Sequence, residues 1–244
     1  MITTILYYIL ITPLTIVYFL FMVVVFLLTV LFDKTRAVLN RTSSWWSRLV
    51  FAVPGWKIQI EGLEKIDTKK PHVIVVNHQS MYDIPLIQSL PIHFKWVSKQ
   101  EVYKVPIMGQ VMLMNQDIAI KRKDPKSLSK LLKLGKKHLS RGVSITIFPE
   151  GTRSKTGRIA RFKDGAFLLA KQAGVDIIPI VTEGTGTVVK NKIVQRPHTF
   201  KIKVLDPIPA STVAASSEKD LAKEINAMML AQHKIFREDL YNQE

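Results

Sequence analysis

The chain has 244 residues, 47% of them hydrophobic, which suffices for one globular domain and an appendage. With 35 Lys and Arg against 19 Asp and Glu it carries a formal charge of +16, so its expected partner is anionic: nucleic acid, an anionic membrane surface or a phosphorylated substrate. There is no cysteine, which excludes disulfides, thiolate-bound zinc and any covalent intermediate on an enzyme thiol.

Residues Met1 to Phe32 contain no Asp, Glu, Lys or Arg. About 20 apolar residues span a hydrocarbon core as a helix, so the run is long enough. The start MITTILYYIL has no basic n-region and Phe32-Asp33 is a poor cleavage site, so the run reads as a retained anchor and not a signal peptide. Pro13 either kinks the span or lies in the first turn of its main helix. From Thr35 to Val53, Arg36, Arg41 and Arg48 alternate with Trp45, Trp46 and aliphatic residues, a mixture suited to the headgroup zone. The expectation is a two-helix membrane motif over residues 1–54, with the remaining domain, 55–244, on the cytoplasmic face of the cell (inner) membrane by the positive-inside tendency.

Beyond Gly55, short β-branched runs alternate with amphipathic stretches. Strands are predicted at Lys57–Ile60, His72–Val76, His93–Val97, Ile118–Ile120, Ser144–Phe148, Ile177–Val181 and Phe200–Leu205, and helices at Met81–Gln88, Val105–Met112, Lys126–Ser140, Asp164–Ala173 and Glu218–Asp239. That alternation predicts an α/β domain with a mostly parallel sheet flanked by helices. Between Asn115 and Gln172 there are 15 Lys and Arg against 4 Asp and Glu. On the stretch 126–141, Leu128, Leu131, Leu132 and Leu139 follow one helical face, with Lys126, Lys130, Lys133 and Lys137 on another. Those lysines read as a solvated face that can also meet anionic lipid, at about 1 kcal/mol per base near the surface.

The segment VIVVNHQSMYDIPLI is a buried strand running into a helix start. Ligands of α/β sheets gather at the carboxyl ends of strands, which is where His78 emerges. Asp83 follows after five residues, and a turn between them lets the carboxylate fold back onto the imidazole, fix its tautomer and leave the other nitrogen to take a proton from a hydroxyl. A competing reading is equally compatible with the spacing: Ser80 and Asp83 fit a helix-capping box, S-x-x-D. There is no G-x-S-x-G, H-E-x-x-H or phosphate-loop motif, so the nucleophile is expected to be the substrate's own hydroxyl. A second constellation, Phe148-Pro149-Glu150-Gly151-Thr152-Arg153-Ser154, ends another strand. Gly151 permits a tight turn, Arg153 offers a planar fork for phosphate, and Glu150 can accept from a hydroxyl or orient the arginine. The remaining histidines, His72, His93, His138, His198 and His233, show no partner at ligand spacing and suggest no metal site.

NHQSMYD matches the N-H-x-x-x-x-D block of the glycerophospholipid acyltransferase family, and FPEGTRS matches its second signature in full. SKQEVYKVPIMG, with Lys99, Glu101, Pro106 and Gly109, is similar to the block between them, and RFKDGAF and IIPIV resemble later stretches. The likeness covers residues 55 to 210 and looks closest to bacterial 1-acylglycerol-3-phosphate acyltransferases. It implies His78 as general base with Asp83 as its orienting carboxylate. It implies Glu150, Gly151, Thr152 and Arg153 as the acceptor site, with Lys99 and Arg122 as further contacts. Where the family shows an Asp-Arg pair the chain has Lys121-Arg122, so only the arginine matches. The implied reaction moves an acyl group from acyl-CoA or acyl-ACP, as co-substrate and without a cofactor, to the sn-2 hydroxyl of lysophosphatidic acid at a membrane. Another acceptor, such as glycerol-3-phosphate, is the alternative within the class; a non-enzymatic binder of anionic lipid leaves both signatures unexplained, and a nucleic-acid partner leaves the anchor without a purpose.

Overall fold

The computed structural model describes residues 2–121, 124–190 and 193–242. Helix α1 (Ile2–Thr29) carries Pro13 inside it. Among the described residues, Thr4–Thr29, with mean hydropathy 2.7, is the one helix long and apolar enough to cross a membrane. A tight turn leads to α2 (Ala37–Ala52). Asp33 starts α2 by accepting from Val38 N (2.9 Å), while Arg36 folds inward, donates to the Val30 carbonyl just past α1 and to the Asp33 carbonyl in the turn, and lies 5.3 Å from the Phe26 ring. A cation at a helix C-terminus meets both its orphan carbonyls and its dipole. Arg36, expected in the headgroup zone, is therefore a buried clasp of the helix pair.

The polar side chains of α2 explain its orientation. Asn40, Thr42, Ser43, Ser44 and Ser47 are buried, and small hydroxyl residues let helices approach closely. Tyr18 of α1 stacks on Trp46 (4.7 Å, 9°) and bonds Ser43 Oγ; on the domain side, Asn40 donates to Phe94 O and Arg48 to Ser89 O. Trp45, under Arg41, keeps the exposure expected of an interfacial residue, as do Val38, Arg41, Arg48 and Leu49.

The domain contains β1 (Lys57–Glu61), β2 (Val73–Val76), α3 (Asp83–Gln88), β3 (Phe94–Lys99), α4 (Met108–Met114), β4 (Ile118–Ile120), α5 (Lys126–Leu139), β5 (Ser144–Ile147) and α6 (Gly165–Ala173). It continues with β6 (Ile177–Glu183), β7 (Val189–Lys190), β8 (Ile193–Val194), β9 (Thr199–Val204), α7 (Ala210–Ala215), α8 (Glu218–Phe236) and α9 (Glu238–Tyr241). The main sheet has the order β1-β9-β6-β2-β5-β3-β4. All neighbours are parallel except β6 and β9, which pair antiparallel. The α/β architecture and mostly parallel sheet match the sequence, and the strand bounds agree to within two residues. The β7–β8 hairpin and α7 are additions, too short to leave a periodic signal.

Every residue of β2 is fully buried, as a central parallel strand requires. Val73 and Val75 join a core with Leu131, Phe167 and Leu221 from α5, α6 and α8, while Ile74 and Val76 join one with Leu86, Trp56, Phe51 and Tyr7. The helix pair thus shares the second core, and apolar packing crosses the turn at residues 54–55. Helix α5 lies on the other face, with Leu131 and Leu139 buried, Leu128 exposed, and Lys126, Lys130, Lys133 and Lys137 turned to solvent. Two glycines are dictated by contact. A Cβ on Gly109 would lie 2.1 Å from Tyr103 O, and one on Gly135 2.7 Å from Leu169.

Candidate active site

Strand β2 ends one residue before Asn77, whose buried amide donates to Thr182 O and accepts from Thr182 N, tying β2 to β6 past the last residues of the strand. His78 follows at the carboxyl edge. Its Nδ1–H donates to Asp83 Oδ2 at 2.7 Å. The same oxygen accepts from Gln79 N (2.7 Å) and Ser80 N (2.8 Å), and Thr185 Oγ1 donates to Oδ1. Both sequence readings of Asp83 are therefore satisfied together: it makes the backward arm of a capping box and it holds the imidazole. Ser80 Oγ departs from the box by accepting from Tyr82 N. Asp83 is fully buried and the His78 side chain is 16% exposed. Among the described residues, His78 Nε2 has no protein partner.

The imidazole is also held from its face. Phe148 stacks on it at 3.9 Å and 12°, and Trp96 stacks on Phe148 at 5.3 Å. Phe148 follows β5 and Trp96 lies within β3, so the stack draws on three adjacent strands. Glu150 lies beneath. Its Oε1 accepts from His78 N (2.8 Å) and its Oε2 from Ala160 N (2.9 Å). The sequence suggests an oxygen for a hydroxyl or for Arg153; the structure gives both oxygens backbone donors. Burial pushes this carboxyl up to about 7, against the pull of those two donors.

The other expected site residues form an outer rim. Gly151 has φ 70°, and a Cβ there would meet Lys163 Nζ at 2.9 Å, so the turn needs glycine. Thr152 and Arg153 are exposed just beyond it. Ser154 N donates to His78 O (2.8 Å), which brings the arginine's segment against the histidine. Lys99, the last residue of β3, two strands from β2, is 3.6 Å from Glu101. Arg122 lies outside the described residues.

The acyltransferase family model matches residues 57–183, the span from β1 to the end of β6. This chain belongs to the acyltransferase family. Among relatives, it is 42% identical over 161 residues to the chloroplastic 1-acyl-sn-glycerol-3-phosphate acyltransferase of Arabidopsis thaliana, covering 65% of this chain and 45% of that one. It is 36% identical over 141 residues to the 1-acyl-sn-glycerol-3-phosphate acyltransferase of Pseudomonas aeruginosa, covering 57% and 53%. The chain thus spans about half the length of the curated relatives it matches. The crystal structure of the 1-acyl-sn-glycerophosphate acyltransferase of Thermotoga maritima superposes with a TM-score of 0.71 at 23% identity, over 92% of this chain and 95% of that one, which establishes a shared fold.

Within this acyltransferase frame the structure adds residues that the sequence did not single out. Thr185 reaches Asp83 from beyond β6, and Phe148 supports the imidazole. His233, read from sequence as a histidine with no partner at ligand spacing, is fully buried, bonded to Glu183 and Tyr241, and has Gln79 Nε2 within 2.8 Å. Thr185 and Glu183 could have been suspected, because β6 runs parallel beside β2 and ends at the same edge. Nothing local marks His233.

Proposed function

We propose that this chain transfers an acyl group from a thioester of coenzyme A or acyl carrier protein to the sn-2 hydroxyl of 1-acyl-sn-glycerol 3-phosphate, giving phosphatidic acid. The observation that carries the reading is the His78–Asp83 bond, with Nε2 open at the carboxyl edge of the sheet, in a chain of this family. Asp83 holds the neutral imidazole with its proton on Nδ1. Nε2 takes the hydroxyl proton as the oxygen attacks the thioester carbonyl; a tetrahedral oxyanion forms and collapses, the C–S bond breaks, and the proton passes from His78 to the departing thiolate. Arg153 and Lys99 supply the cations for the acceptor phosphate, with Gly151 and Thr152 shaping the turn between it and His78.

The site works at the cytoplasmic face of the cell membrane on an acceptor dissolved in lipid. The exposed apolar surface of α1, including Leu20, Val24, Leu27 and Leu28, supports this. Both ends of the helix are fastened to the domain: Val194 N donates to Thr4 Oγ1, Tyr7 packs on Trp56, and past the other end Thr35 O meets His93 Nε2. That favours a helix sunk in one leaflet beside the domain over one crossing both. Sedimentation with anionic vesicles tests it: Val24→Lys with Leu28→Lys should weaken binding, and unchanged binding overturns the placement.

The decisive assay follows thioester consumption by purified protein with lysophosphatidic acid, glycerol-3-phosphate and lysophospholipids of larger headgroup. Phosphatidic acid formation that is lost in His78→Ala, with the variant still folded, is the expected result. Wild-type rates in that variant remove the mechanism, and activity confined to another acceptor removes the substrate assignment.

A further inference from the structure

The family model ends at residue 183, where a buried polar cluster begins. Glu183, buried at the end of β6, accepts from His233 Nε2–H (3.1 Å) and Gln79 Nε2 (3.1 Å) on one oxygen and from Arg237 Nη1 (3.1 Å) on the other. On the far side of the ring, Tyr241 O–H donates to His233 Nδ1 (2.9 Å), and the same phenol oxygen accepts from Ile159 N (3.3 Å). Donors and acceptors alternate from Ile159 N through Tyr241 and His233 to Glu183, and Gln79 Nε2 lies 2.8 Å from His233 Nε2 beside that chain. Burial raises the Glu183 carboxyl, and bonds from His233, Gln79 and Arg237 more than offset it, so the group lies below its ordinary value and stays ionised.

Two branches leave this cluster, and both end at the histidine. Gln79 also donates to Gly157 O (3.1 Å), while its backbone N–H is one of the three bonds on Asp83 Oδ2. The second branch runs through the C-terminal helices to the segment after Arg153. Arg158 Nε donates to Leu240 O (2.7 Å) and Asn226 donates to Ala160 O (2.8 Å). Ala160 N in turn bonds Glu150, whose other oxygen holds His78 N. Residues 154–160 are therefore fixed at one end by Ser154 on His78 and at the other by α8 and α9.

We infer that α8 and α9 form a strap, fastened through Glu183, His233, Arg237 and Tyr241, which sets the position of the Arg153 segment and so the affinity for the acceptor's phosphate. These are positioning residues: none of them is placed against reacting atoms, and each acts through Gln79 or through residues 157–160. The inference rests on the proposed function, because it concerns where that acceptor is held.

Tyr241→Phe and Arg237→Gln test it, since both residues are partly exposed and outside the apolar cores. Each should raise KM for lysophosphatidic acid about three- to tenfold, the loss of one hydrogen bond to a positioned segment, with kcat and the thioester KM within about twofold. Arg237→Lys should recover part of the loss. Independently of turnover, amide hydrogen exchange at Ile159 and Ala160 should quicken in Tyr241→Phe, while β2 and β5 keep wild-type protection. Unchanged KM and unchanged exchange overturn the strap, and so does a fall in kcat that tracks a fall in Tm, which marks a merely structural role. Absence of transfer in the wild-type protein, with exchange changed as expected, sinks the proposed function and leaves the strap without its stated purpose.

Discussion

The inner and outer halves of the site are built on opposite principles. Around His78 the carboxylates are fully engaged: Asp83 and Glu150 are buried and together accept six hydrogen bonds, and a stacked Phe148 closes the ring's face, leaving Nε2 open. At the rim, Thr152 and Arg153 stand in solvent. A proton transfer needs one geometry held before the substrate arrives, and only burial with satisfied partners supplies that. A phosphate, by contrast, can be met by long cationic side chains that fold around it on arrival. The inner half should therefore govern kcat and the outer half KM.

Asp83→Asn is the strongest way to break that division. The amide keeps the shape but loses the charge and disturbs the tautomer, so kcat should fall about 10³- to 10⁴-fold with KM for the acceptor nearly constant. Thr185→Val, which strips one donor from the same carboxylate, should reproduce the pattern at about tenfold. A KM effect in either, measured by steady-state kinetics, would mean the halves are not separate. Arg153→Ala is expected to do the reverse, raising acceptor KM about ten- to hundredfold with kcat within about threefold, and raised salt should shrink the difference. The smallest effect concerns Glu150. Its folded pKa, about 7, lies above the ordinary 4.5, so the stability tied to its proton is present at acid pH and lost as pH rises through about 7. Urea midpoints across pH 4.5 to 7 should fall more steeply in the wild type than in Glu150→Gln. His93 and His138, both held down to about 4 by burial first of all, titrate in both proteins and cancel in the comparison. Parallel profiles would show that Glu150 is ionised throughout.

Legibility followed distance along the chain. His78 and Asp83 are five residues apart on a strand-turn-helix segment, so periodicity, strand-end position and spacing sufficed to pair them. Seven strands were visible for the same reason, each being a local run. Thr185 meets Asp83 across 102 residues and His233 meets Gln79 across 154, contacts that only the closed sheet and the returning C-terminal helix create. Arg36 and Glu150 show a subtler limit. Their residue types pointed to headgroup and acceptor chemistry, but neighbouring backbone groups bond them: carbonyls of the turn after α1 for the guanidinium, and N–H groups of His78 and Ala160 for the carboxylate. A residue's chemistry can be read from its letter; who else competes for it cannot.

The stacked, bonded imidazole has a kinetic consequence. With Nδ1 pinned at 2.7 Å and its face against Phe148, the ring has one working nitrogen and no room to swing. In the proposed mechanism, the proton it collects must leave by the door through which it entered. Oxygen and sulfur therefore have to share one side of one atom, within a single encounter. Such a catalyst cannot discharge one substrate before admitting the next, so initial-rate plots against the two substrates should intersect and not run parallel, and no acylated protein should accumulate when thioester is supplied alone.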